Sequence, residues 1–141
     1  MIRHILANLL RRARGTRDWW RELTCSESEM RGIKLLREWL SPEQLIQFDR
    51  HRYFDVTGCH SGKKYRIRYG TASNIWELNR YGHPKAGWCV VPNEQLVPGD
   101  VMLAQKIGLE TDELGAMAVA KSFAPHLHLA KRRPPRGISF V

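Results

Sequence analysis

Apolar positions follow a helical period at both ends of the chain and a period of two in its middle. Ile2, Ile5, Leu6, Leu9 and Leu10 fall on one helical face, which predicts an amphipathic N-terminal helix. Thr24 or Ser26 opens a second helix, since Thr24-x-x-Glu27 and Ser26-x-x-Glu29 both have capping-box spacing. Ile33, Leu36 and Leu40, joined by Leu35 and Trp39, supply its apolar face. Ser41-Pro42-Glu43-Gln44 then signals another start. The serine can cap, the proline suits the first helical position, and the glutamine can return the capping bond. This short helix reaches about Arg50.

From Tyr53 the period becomes two. Phe54 and Val56 alternate with Tyr53, Asp55 and Thr57, and Tyr65, Ile67 and Tyr69 alternate with Lys64, Arg66 and Arg68. Residues 58–63, with Ser61-Gly62 as the turn, join these runs into a β-hairpin. Ile75, Trp76 and Leu78 predict a third strand, and Trp88 to Val91 a fourth. Pro98-Gly99-Asp100 opens the longest helix, with Asp100 as the expected cap. It runs to about Phe123, with a restart allowed at Thr111-Asp112-Glu113. Pro134 and Pro135 mark an extended tail.

The reading is α+β: N-terminal helices, a four-stranded antiparallel meander, a long C-terminal helix and a basic extended tail. Residues 1–23 form a basic amphipathic extension, 24–124 a single domain and 125–141 the tail. A chain of 141 residues with 43% apolar side chains is long enough for one domain with a real core.

Charge sharpens this picture. The net charge of +9 comes with six arginines against two acids in residues 1–23, and five bases without an acid in residues 121–141. Residues 24–120 sum to zero, but unevenly: residues 50–85 carry +6, and residues 86–120 carry −4. If Tyr65, Ile67 and Tyr69 face a core, Lys64, Arg66 and Arg68 face outward in a row, about 7 Å apart. Lys63, Arg80 and Lys85 lie near them in sequence, and Arg132 and Arg133 in the tail. Such a set suits phosphate contacts, which need charge and reach. Trp76, Trp88 or Tyr81 would add stacking for unpaired bases. The plainer reading is a solvated sheet face whose charges blunt edge pairing.

Catalytic chemistry finds little support. Cys59 beside His60 does not place an imidazole to take the thiol proton. Asp55, Glu77, Asp100 and Glu110 are too scattered for a metal-dependent nuclease, and the glycines around Ser61 lack the spacing of a P-loop. Cys59, His60, His83 and Cys89 have no paired short spacing of the kind zinc prefers, and His126 and His128 read as tail residues. No catalytic residue, metal site or cofactor is expected. Three cysteines make no disulfide framework, which fits a cytoplasmic protein. No stretch approaches a membrane span.

Residues 53–107 resemble the scaffold of SWIM-type zinc domains. Phe54-x-Val56, Ser61-Gly62, Tyr65-x-Ile67 and Cys89 to Pro92 follow that family's order. Cys89 matches one zinc ligand, and the Cys-x-His near the helix start is missing, so the resemblance does not imply zinc. It implies DNA binding or protein interaction. The chain also looks like small uncharacterised bacterial or phage proteins.

The expectation is a non-catalytic nucleic-acid-binding module, acting on DNA or RNA without strong sequence preference through its hairpin face and basic arms. The alternative is a protein-interaction or assembly subunit, docking or self-associating through residues 1–23. Ile5, Leu9, Trp19 and Trp20 are the contact residues of that second reading. A membrane surface is a further partner for the same helix.

Overall fold

Ser26 begins the part of the chain that the structure, a computed structural model, describes: residues 26–90 and 94–124. Its hydroxyl accepts the Glu29 N–H and caps α1 (Glu27–Trp39). Ile33 and Leu36 point from α1 into the core. Helix α2 (Pro42–His51) starts with the expected capping box, in which Ser41 and Gln44 each satisfy the other's backbone N–H. Arg52 adopts the left-handed conformation and turns the chain into the sheet.

Five strands follow in simple order: β1 (Tyr53–Thr57), β2 (Lys64–Arg68), β3 (Ile75–Leu78), β4 (Pro84–Cys89) and, after two helices, β5 (Lys121–Phe123). Every neighbouring pair is antiparallel. The α+β expectation holds, with one strand more than predicted. The C-terminal helix is two helices, α3 (Pro98–Thr111) and α4 (Glu113–Val119). Asp112 breaks them, and its side chain accepts the Gly115 N–H to start α4. Ala120 is extended, so residues 121–123 leave the helix and join β4. The absent side chain of Gly87 makes room for this, because any Cβ there would overlap the Phe123 ring.

Asp100 is not the cap of α3. Val97 holds that position without a side-chain bond, and Pro98 supplies the first helical residue. Asp100 instead sits in the first turn, where its charge favours the helix dipole. Gly99 packs directly on α1, since a Cβ on it would collide with the backbone of Gly32 and Ile33. This close crossing lets α1 and α3 form one layer over the sheet.

The core lies between that layer and one sheet face. Ile33, Leu36, Phe48, Phe54, Val56, Tyr65, Ile67, Ile75, Met102 and Leu109 are fully buried there. A buried amide pair is set among them. Asn74 and Gln105 exchange hydrogen bonds of 2.8 and 2.9 Å, and Asn74 also donates to the carbonyls of Arg68 and Gly70. No described helix is long and apolar enough to cross a membrane.

Candidate functional site

Strand alternation sorts the basic residues. Tyr65 and Ile67 enter the core, so Lys64, Arg66 and Arg68 lie on the opposite face of β2. Each makes a contact there. Lys64 Nζ donates to Thr57 Oγ1 at 2.6 Å, directly across the strand pair. Arg66 grips Asp55 with two bonds of 2.8 and 3.0 Å, while its guanidinium lies 3.9 Å from the centre of the Tyr53 ring. These bonds to Asp55, partly offset by burial, raise the Arg66 pKa and keep it charged. His51 stacks on the same tyrosine. Arg68 covers Trp76 at 4.4 Å.

The remaining residues of the predicted set divide. Lys63 and Lys85 both approach Glu77 Oε1, at 3.3 and 3.9 Å. Glu77 pairs with Tyr65 in register and belongs to the core side, where Trp88 Nε1 also donates to it at 3.2 Å. These two lysines therefore answer a buried carboxylate and do not extend the row of Lys64, Arg66 and Arg68. Arg80 returns to that row from the β3–β4 turn. Arg132 and Arg133, like Ile5, Leu9, Trp19 and Trp20, lie outside the described residues.

The expected stacking residues are also divided. Trp76 is 8% exposed, beneath Arg68. Trp88 packs against the core. Tyr81 is 69% exposed, with Arg80 over its ring. Trp76 and Leu78 occupy the outer face although their hydropathy suggests a core. β3 is the central strand, so both of its faces are buried.

Three of the basic residues converge. Lys64, Arg66 and Arg80 line a cleft of about 330 Å³ between α2, the hairpin and the β3–β4 turn. Glu43, Gln47, Asp55, Asn79 and the apolar Leu78 are among its other lining residues. Asn79 Oδ1 accepts the N–H groups of Tyr81 and His83 and holds the turn in shape.

The hairpin that carries the row is anchored from the other side by a residue sequence reasoning missed. Glu113, 3% exposed, receives the N–H of His60 at 2.8 Å and of Ser61 at 2.7 Å on one oxygen. Its other oxygen accepts the Ser61 hydroxyl and the Tyr65 hydroxyl. Burial alone would push this carboxyl up. The bonds from Ser61, Tyr65 and His60 outweigh it and hold the pKa at about 2. Tyr65 moves up correspondingly, through burial and its bond to the carboxylate. Gly58 makes the approach possible, since a Cβ there would overlap the carboxylate. With four donors around it Glu113 has little capacity left for chemistry, and its role is to shape the loop. It lies about fifty positions from the loop in sequence, and no local signal marks the pair.

Cys59 is exposed and accepts the Glu113 N–H at 3.4 Å, whereas Cys89 accepts the Ser73 N–H at 3.2 Å. Cys89 is half-buried and lies on the outer face of the sheet. Among the described residues no three His, Cys, Asp or Glu side chains group around a metal-sized site. No protein-family model, no curated protein and no solved structure matches the chain.

Proposed function

We propose that this chain is a non-catalytic nucleic-acid-binding module that contacts the phosphate backbone through the outer face of its sheet, helped by its basic arms. The observation that supports it best is the side-by-side placement of Lys64, Arg66 and Arg68 on the sheet face opposite the α1–α3 layer. Arg80 joins this row at the cleft, so cationic groups follow one another over a span suited to successive phosphates. Acidic residues gather elsewhere: Glu110 with Lys106 on α3, and Glu113 inside the hairpin loop. Within the row Asp55 offsets Arg66, while no acid pairs with Lys64, Arg68 or Arg80 among the described residues.

Fluorescence anisotropy of the full chain with labelled single-stranded and duplex oligonucleotides tests this. Binding should fall steeply with salt, and the Lys64→Ala/Arg68→Ala double variant should bind more weakly with a shallower salt slope, by roughly 0.7 per lost contact on a single strand. Absence of binding at low salt refutes the reading. An unchanged slope in the double variant moves the contact from the sheet face to the arms.

A further inference from the structure

The cleft beside Arg66 is not built like a phosphate site. Two of its lining residues are acids, and they differ. Asp55 is neutralised by Arg66, whereas Glu43 has no partner among the described residues and is exposed at the rim. An unpaired carboxylate repels phosphate but accepts N–H groups. The Arg66 guanidinium is held flat, with Asp55 gripping its edge and Tyr53 behind one face, and its remaining surface lines the cleft. A cation fixed in this way is a ready stacking plane for an unpaired base. Asn79 has given its oxygen to the turn, so its amide nitrogen has donors to spare. Lys64 and Arg80 stand at the same cleft for the flanking phosphates.

We propose that this cleft receives one unpaired guanine of a bound single strand, a reading that rests on the chain binding nucleic acid at all. The base stacks on Arg66. Its N1–H and N2–H donate to the two oxygens of Glu43, and its O6 accepts from the Asn79 amide. Guanine is the base that offers two adjacent donors to one carboxylate. Adenine presents a ring nitrogen that Glu43 would repel, and cytosine and uracil or thymine present one donor each. The cavity, about 330 Å³, falls at the lower end of the size of small-ligand sites, roughly 300–1,000 Å³, as one base requires.

Anisotropy with the full chain, oligo-dT, and the same strand carrying one central dG, dI, dA or dC gives the test. The dG strand should bind at least about fivefold tighter than oligo-dT, the lower end for a bidentate base contact. The dI strand, which lacks the N2 amino group, should fall between them, and dA and dC should gain nothing. Glu43→Gln should abolish the dG gain, and Arg66→Lys, which keeps the charge but loses the plane, should reduce it. If oligo-dT itself fails to bind at low salt, the nucleic-acid reading falls and this inference with it. If oligo-dT binds but dG gives no gain, or the gain survives in Glu43→Gln, the guanine pocket is overturned while backbone binding stands.

Discussion

Replacing Glu113 should loosen the hairpin, and the size of the effect follows from its bonds. Glu113→Ala removes the acceptor of two backbone N–H groups and two hydroxyls. The buried Tyr65 hydroxyl left unpaired costs about 1–3 kcal/mol, and the lost bonds from His60 and Ser61, whose donors water can reach, add about 1 kcal/mol, which gives about 3 kcal/mol. Titration leads to a similar figure. The carboxyl moves from 4.5 to about 2 on folding, and each unit corresponds to about 1.4 kcal/mol, so the ionised group contributes on the order of 3 kcal/mol at neutral pH. Because the folded value is the lower one, this stability is present above about pH 5 and is lost as pH falls through 4.5 towards 2. Glu113→Gln imitates the protonated acid. Its amide oxygen can still accept the two N–H groups, while its NH₂ faces the hydroxyls, at a cost of about 2 kcal/mol at neutral pH. Urea unfolding of the native chain and the Gln variant should therefore differ by about that amount at neutral pH and converge as the solution is acidified. A difference that stays constant down to about pH 2 would refute the reasoning, as would a loss below about 1 kcal/mol in Glu113→Ala.

Other outcomes follow from packing and capping. Gly99→Ala should cost about 3 kcal/mol or prevent folding, seen in a thermal melt, because its Cβ meets the backbone of α1. Ser41→Ala should cost about 1 kcal/mol by removing the capping box of α2, and Ser41→Thr should recover most of it. Asn74→Ala should cost about 2–3 kcal/mol in urea unfolding, since it leaves the buried Gln105 amide unpaired, and Asn74→Ala/Gln105→Leu should be milder than the single change.

Local pattern went far in this chain. The capping box at Ser41, the alternation in residues 53–57 and 64–68, and the turn at Ser61-Gly62 are all encoded within a few residues, and the structure reproduces them. The same alternation placed Lys64, Arg66 and Arg68 on one face, because strand geometry is a property of the backbone. What local pattern misjudged depended on distant partners. Residues 121–123 read as helix by continuity and became a strand because β4 offered a free edge and Gly87 left space for Phe123. Asp100 looked like a cap, yet the docking of Gly99 on α1 coincides with a helix that starts earlier, at Pro98.

The candidate surface divides in the same way. That positive charge concentrates in residues 50–85 and the two arms was determined by the sequence alone, since it is a count along the chain. Which of those charges act together was decided by tertiary structure. Glu77 draws Lys63 and Lys85 to the core side, and Asp55 with Tyr53 fixes Arg66 as a plate. The β3–β4 turn brings Arg80 to Lys64 across the cleft. Charge is additive along a sequence, but the partner of a charge is chosen by distance, and distance exists only after the sheet has formed and the helices have closed on one side of it.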